Sequence, residues 1–253
     1  MPVSFTEDQH LNLALDIGNT AVKAGIFRQD QLLKTFRFSH LNYQRITHLM
    51  ARYPVDHLIF SSVRQEHIPA IQRFKKHVKN LMVLTPDTPL PIKNLYETPE
   101  TLGNDRLAAV IGGQQLFPNH HVLVMDAGTA LTFDFLHASG SYLGGNISPG
   151  LSLRFKSLHQ ATGRLPQMKP QEKVPPLGRN TRQAIVAGVQ NGIIYEMNHY
   201  IQYFSEAYAS VKVLLTGGDS NFFDNKLNYP IFVEPNLVLI GLNKILKYNI
   251  YAR

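Results

Sequence analysis

The sequence predicts an α/β protein built from two similar units in tandem. Short apolar runs of strand length alternate with longer segments of helical period. A strand–turn–strand pattern near the start, Leu11-Asn-Leu-Ala-Leu-Asp16-Ile-Gly18-Asn-Thr20-Ala-Val-Lys23, returns in form as Val122-Leu-Val-Met-Asp126-Ala-Gly128-Thr129-Ala-Leu-Thr132-Phe-Asp134. Two copies a domain-length apart are the mark of a duplicated unit. The 253 residues suffice for two domains of roughly 100–150 residues each, sharing a cleft.

In each copy an apolar strand ends at an Asp, a small turn forms around a Gly, and a second strand follows. Gly18 and Asn19 in the first turn tolerate positive φ and suit a tight hairpin. Residues 57–61 and 82–85 read as short buried strands. A helix is predicted over 106–115, just after Asn104-Asp105, and Pro118 breaks the chain after it. The domain boundary is therefore set near 118, giving domains 1–117 and 118–253. Four prolines, at 166, 170, 175 and 176, predict an irregular connection over 162–180. A long helix follows over 181–207, with Ile185, Val189, Ile193, Met197, Ile201 and Phe204 on one stripe. Gly188 and Gly192 on that helix permit a close backbone approach. A strand over 211–216 runs into Gly217-Gly218, and a helix over 237–248 closes the chain.

Hydrophobic residues make up 44% and charged residues 17%, enough to bury a substantial core. No window approaches 18 uninterrupted apolar residues, so no membrane helix is expected. The first ten residues are polar, with Glu7 and Asp8, and lack the basic-then-apolar order of a secretory signal. The absence of cysteine removes disulfides and thiolate metal sites, and a cytoplasmic protein is expected. The net charge of +7 suits nucleic acid, anionic lipid or small anionic substrates. Basic residues are scattered, and the densest run, from Arg73 to Lys79, reads as the wet face of a helix. No nucleic-acid-binding motif accompanies them, so neither nucleic acid nor a membrane is expected as a partner. The eleven histidines show no second ligand at metal spacing, so no zinc site is expected.

Phosphoryl transfer needs a cradle for phosphates, a cation to neutralise them and a group that orients the attacking hydroxyl. Gly18 allows backbone N–H groups to approach phosphate oxygens, and Asn19 and Thr20 add side-chain donors. Asp16 can hold hydrated Mg²⁺, and Lys23 on the next strand can reach the same phosphates. The plain alternative is a hairpin whose Asp caps its turn. No Gly-x-x-x-x-Gly-Lys-[Ser/Thr] loop is present.

Paired Asp-x-Gly-[Asn/Thr] hairpins resemble the two-sided phosphate clamp of the acetate kinase, sugar kinase, Hsp70 and actin superfamily. That resemblance implies two ribonuclease-H-like domains with an interdomain ATP cleft, and it matches Gly217-Gly218-Asp219 to an adenosine contact. An ordered set of motifs narrows the resemblance to the type III pantothenate kinase family. The set comprises Asp16-Ile17-Gly18-Asn19-Thr20, Gly103-Asn104-Asp105-Arg106, Asp126-Ala-Gly128-Thr129-Ala130, Gly144-Gly-Asn-Ile-Ser-Pro-Gly150, Asn180-Thr181 and Leu215-Thr-Gly-Gly218. The chain starts some ten residues before the usual family start, and that extension is assigned no role.

The resemblance implies ATP-dependent phosphorylation of pantothenate to 4′-phosphopantothenate, the first step of coenzyme A biosynthesis. It implies that Asp105 is the general base and that Tyr96, Gly103, Asn104, Arg106 and Thr181 join it in binding substrate. ATP contacts fall to Asp16, Ile17, Gly18, Asn19, Thr20, Ala21, Val22 and Lys23, with Thr129 from the second hairpin. Asp126 is assigned a monovalent cation, K⁺ or NH₄⁺, and Asp16 a Mg²⁺ held through the phosphates. The family further implies a homodimer, for which the long helix from Thr181 is the candidate contact. Plainer uses stand beside several of these. Asp105 can also cap the helix after it, Arg106 can be a surface charge, and Tyr96 can be packing. Asp134 either joins the cation site or ends its strand, and the stretch from Gly144 to Gly150 is either a turn over the pocket or a connecting loop. The apolar stripe of the long helix can equally pack inside the monomer. Two other functions remain in view: a non-catalytic accessory or regulatory protein that keeps the fold, and a phosphohydrolase of the same superfamily.

Overall fold

The computed structural model describes residues 10–18, 20–62 and 71–251. They form two compact units. The first holds the described residues of Met1–Pro118, Gly140–Tyr142 and Asn236–Arg253, and the second holds Asn119–Ser139 and Leu143–Pro235.

The first unit is a five-stranded sheet of β1 (Leu11–Ile17), β2 (Val22–Arg28), β3 (Gln31–Phe38), β4 (Val55–Ser62) and β5 (Asn80–Val83), in the order β3-β2-β1-β4-β5. The first three strands are antiparallel neighbours, as tight hairpins require, while β4 and β5 run parallel to β1. Both faces of β1 are covered, which is why its sequence reads as a nearly continuous apolar run. On one face, Leu13, Leu15 and Ile17 pack with Ile46, Leu49 and Met50 of α1 (Tyr43–Arg52). Asn42 starts that helix by accepting a hydrogen bond from Arg45 N at 3.0 Å. The other face carries α6 (Leu237–Tyr251), which packs on β1, β2 and β4, and α2 (Asn104–Leu116), which packs on α6 and β4.

The second unit repeats the plan with β7 (Val122–Ala127), β8 (Ala130–His137), β9 (Ser141–Pro149), β10 (Lys212–Thr216) and β11 (Phe232–Val233), ordered β9-β8-β7-β10-β11. Both sheets therefore share one topology: the first strand is central, its antiparallel hairpin partners lie on one side and the parallel strands on the other. This is the ribonuclease-H-like pattern, present twice. The first two residues of β9, Ser141 and Tyr142, belong to the first unit, where they pair with β6 (Lys93–Asn94). The second core packs α3 (Leu151–Ala161) and α4 (Thr181–Ala207) against β7, β8 and β10, with the short α5 (Ser220–Phe223) beside them. Residues 165–180 carry no regular structure, and buried Gln190 of α4 secures them by bonding Gln171 N and O, both at 2.8 Å.

The closing helix differs from its expected place. The sequence division counted it with 118–253, whereas α6 lies in the first unit. Its period announces a helix but not the sheet it will cover; that is decided by shape. A Cβ on Gly241 would collide with the Ala108 carbonyl of α2, and one on Gly112 would collide with the Leu237 carbonyl. The two helices cross through these glycines. Gly241→Ala is expected to cost about 2–4 kcal/mol, because backbone atoms on the facing helix cannot give way as a flexible side chain would. Calorimetry should record a fall in Tm of roughly 5–15 °C; an unchanged Tm would mean that the helices can separate freely.

Candidate active site

The first hairpin places Asp16 one residue before the end of β1, opposite Lys23 of β2. Gly18 N donates to Ala21 O at 3.1 Å and closes the turn. Ile17 and Val22 are buried, so only their backbone faces the turn, whereas Thr20 is exposed. Asn19 lies outside the described residues. The Asp16 carboxyl is lifted from 3.8 to about 6, first by burial and second by the charge of Asp105, with Lys23 pulling the other way. The fold thus brings together two carboxylates far apart in sequence, one from β1 and one from the start of α2.

At that start the N-cap is Gly103, with no side-chain capping bond. Asp105 does not cap the helix: it sits in the first turn, where its Oδ1 accepts from Arg106 N at 2.9 Å. The exposed amides of a helix N-terminus favour a negative charge at this position. A Cβ on Gly103 would meet Asp105 Oδ1 at 2.5 Å, so the glycine leaves room for the carboxylate. Asn104 Nδ2 donates to Leu84 O at 3.0 Å and ties the helix start to the end of β5. Arg106 is not a surface charge, being only 7% exposed. Its Nη2 donates to the Tyr142 hydroxyl at 3.1 Å, and its guanidinium carbon lies 5.6 Å from the centroid of the Tyr96 ring. Tyr96 is half-buried and stacks on Tyr142 with centroids 6.1 Å apart.

The second hairpin repeats the first within the other unit. Asp126 is again one residue from the end of its strand, opposite Thr132 of β8, and Gly128 N donates to Ala130 O at 3.0 Å. Two segments press on this turn. Gly150 N donates to Thr129 O at 3.0 Å, and Asp219 N donates to Ala127 O at 2.9 Å. Gly217 has φ +97°, and a Cβ there would meet Asp126 Oδ1 at 2.5 Å and collide with the Ala127 carbonyl, so both conformation and space demand glycine. Burial raises the carboxyl of Asp219 above its ordinary value.

Asp134 does not end its strand. It is wholly buried in the middle of β8 and accepts from Thr132 Oγ1 at 3.1 Å. The glycine-rich stretch before Gly150 is neither a turn nor a loop but strand β9. Its end is held by Arg154, which donates to Pro149 O at 2.7 Å and Ser148 Oγ at 3.0 Å and pairs with Glu196. Thr181 opens α4, whose N-cap Asn180 accepts from Gln183 N at 3.0 Å. The stripe from Ile185 to Ile201 is buried in the second unit's own core. Gly188 and Gly192 instead face open space, on a side that also carries Tyr195 and Tyr203, 63% and 59% exposed. Among the described residues no three His, Asp or Glu side chains gather in a metal-binding group, and no helix is long and apolar enough to cross a membrane.

Comparison with known proteins adds the decisive observation. The family profile described as type III pantothenate kinase matches residues 12–203. A type III pantothenate kinase of Phocaeicola vulgatus is 44% identical over 239 residues, covering 94% of this chain and 99% of the relative. The chain belongs to the type III pantothenate kinase family. Its activity is that of the family, phosphorylation of pantothenate at the expense of ATP. Among solved structures, a Campylobacter jejuni protein described as a Baf-family transcriptional activator superposes with a TM-score of 0.63 at 25% identity, over 94% of this chain and 98% of that one. A Sinorhizobium meliloti protein described as a 2-dehydro-3-deoxygalactonokinase superposes with a TM-score of 0.59 at 14% identity, over 96% and 100% of the two chains, and shows the shared fold.

The profile's match includes both hairpins, the Gly103–Arg106 cluster and Thr181, whereas the Gly217 turn lies beyond the profile but within the stretch aligned with the Phocaeicola vulgatus relative. Tyr142 escaped the sequence reading. It is one aromatic residue at a strand start, and no spacing or motif connects it to Arg106; the hydrogen bond between their side chains does so, with β9 paired to β6 alongside.

Proposed function

We propose that this chain makes 4′-phosphopantothenate with Asp105 as the general base and the Asp16 hairpin as the phosphate cradle. The observation that supports this most is the gathering of Asp105, Asp16, Arg106 and Tyr96 in one unit from three separate stretches of sequence. Asp105 accepts the proton of the pantothenate hydroxyl. The freed oxygen forms its bond to the γ-phosphorus as the bond from phosphorus to the leaving ADP oxygen breaks, and the proton then passes to solvent. The Arg106 fork and the Tyr96 ring orient pantothenate, Thr181 is a further proposed substrate contact, and the amides around Gly18 and the Lys23 ammonium receive phosphate oxygens.

The residues fit a divalent cation at Asp16, because its carboxyl, strained by burial and by Asp105, is one whose ionised form a cation would favour. Mg²⁺ bound there through the phosphates would supply charge neutralisation on the transferred group. Asp126 is the proposed ligand of the monovalent cation, and Thr129 touches ATP. The chain works as a homodimer in the cytoplasm, and the face of α4 that carries Gly188, Gly192, Tyr195 and Tyr203 is the proposed contact between copies, since small and aromatic residues there admit close packing of a second helix.

Coupled ADP release from the purified protein, with ATP, Mg²⁺ and K⁺, tests the reading. Turnover should require pantothenate and should fall when Na⁺ replaces K⁺. ADP release without any acceptor would point to a phosphohydrolase instead, and equal rates in the two salts would remove Asp126 from the cation role.

A further inference from the structure

We propose that Tyr142 is a positioning residue for pantothenate, holding Arg106 and Tyr96 in the orientation in which they meet the substrate. The inference rests on the roles proposed above for those two side chains. Three separate parts of Tyr142 act on them. Its hydroxyl accepts from Arg106 Nη2 at 3.1 Å. Its ring stacks on Tyr96, with an interplanar angle of 16°. Its carbonyl accepts from Leu95 N at 3.0 Å, fixing the backbone immediately before Tyr96, and Tyr96 N donates to Asn94 Oδ1 at 3.0 Å in the strand paired with Tyr142.

The surroundings make this tether firm. Tyr142 is fully buried, so its hydroxyl sits in a medium where hydrogen bonds are strong and unmade ones are costly. Arg106 is nearly as buried, and a guanidinium held by a fixed oxygen and an aromatic face keeps one direction for its fork. An arginine side chain otherwise samples many rotamers, and binding would have to freeze it. Fixing it beforehand removes that cost from pantothenate binding. ATP gains nothing from the arrangement, so the effect should be selective.

Tyr142→Phe keeps the ring and removes only the hydroxyl. The expected result is a rise of about tenfold in the KM for pantothenate, in proportion to the loss of one hydrogen bond to a charged group, with the KM for ATP unchanged. In an Arg106→Ala background the same change should add nothing, because Tyr142 acts through Arg106. Arg106→Lys, which keeps the charge and loses the fork, should reproduce the pantothenate-selective rise. If Tyr142→Phe folds poorly, 3,5-difluorotyrosine placed at position 142, whose hydroxyl oxygen is a weaker acceptor, should give a smaller rise of the same selectivity, and no rise there overturns the proposal. If Arg106→Ala raises the pantothenate KM and Tyr142→Phe does not, or if Tyr142→Phe weakens ATP and pantothenate alike, Tyr142 is packing and the proposal is overturned. Additive effects of the two substitutions overturn it as well. If Arg106→Ala itself leaves the pantothenate KM untouched, the role of Arg106 fails first and the inference falls with it.

Discussion

Asp105→Asn should lower turnover by about 10²–10⁴-fold, the usual contribution of a positioned general base. The amide has nearly the shape of the carboxylate and keeps an oxygen able to accept from Arg106 N, so the start of α2 should persist. What it loses is the capacity to take a proton from a hydroxyl. ATP binding, followed by calorimetry, should be retained or slightly tightened, since Asp105 is one of the charges that lifts the Asp16 carboxyl and its removal lets Asp16 ionise more readily. Near wild-type turnover in a folded Asp105→Asn variant would remove Asp105 from the role of base.

Asp16→Asn should abolish ATP-dependent turnover and, at neutral pH, stabilise the free protein. The second half follows from the sign of the pKa shift. The Asp16 carboxyl ionises near 6 in the folded protein and near 3.8 in the unfolded chain. Between those values the folded protein binds more protons than the unfolded one, so this group makes stability fall as pH rises through the window. Above pH 6 the penalty is complete. A shift of this size corresponds to about 1–3 kcal/mol, with the range set by the solvent contact that Asp16 keeps. The Asn variant carries no such penalty. Its stability advantage should be near zero at pH 4, grow up to pH 6 and stay level to pH 8, as read from denaturant unfolding at each pH. Adding Mg²⁺ and ATP should shrink the advantage, because they bind the folded wild type. A variant less stable than wild type at pH 8 would show that the Asp16 carboxylate is held by favourable contacts and is not a strained cation site.

The pairing of strain with use is common in catalytic sites: groups that would be unfavourable in the free protein are those that a ligand relieves. Gly217 belongs to the same pattern, because its positive φ lets the turn after β10 lie against the carboxylate of Asp126 where any side chain would intrude.

Much of this was legible in the sequence for a physical reason. The hairpins depend on local chemistry: an apolar run, an Asp, a Gly-bearing turn and a return strand, and both formed where the pattern lies. The long helix, bounded by the Asn180 cap and a regular apolar stripe, spans Thr181–Ala207 as its period predicts. The Gly103–Arg106 motif was likewise visible, since its residues are adjacent in the chain. Local sequence therefore determined the two hairpins, the long helix and the duplication, whereas β9 was hidden because its glycines read as a turn or loop.

Tertiary structure decided the rest, because it depends on contacts between residues that no local pattern links. Only the packed fold placed Asp16 within the field of Asp105 and raised its carboxyl. Only the packed fold brought Tyr142, paired with β6 beside Tyr96, within hydrogen-bond reach of Arg106, and it buried the guanidinium that the sequence left open to be a substrate contact or a surface charge. And only the glycine-to-carbonyl fit of α6 on α2 assigned the last helix to the first sheet, a choice of shape to which its amphipathic period is blind.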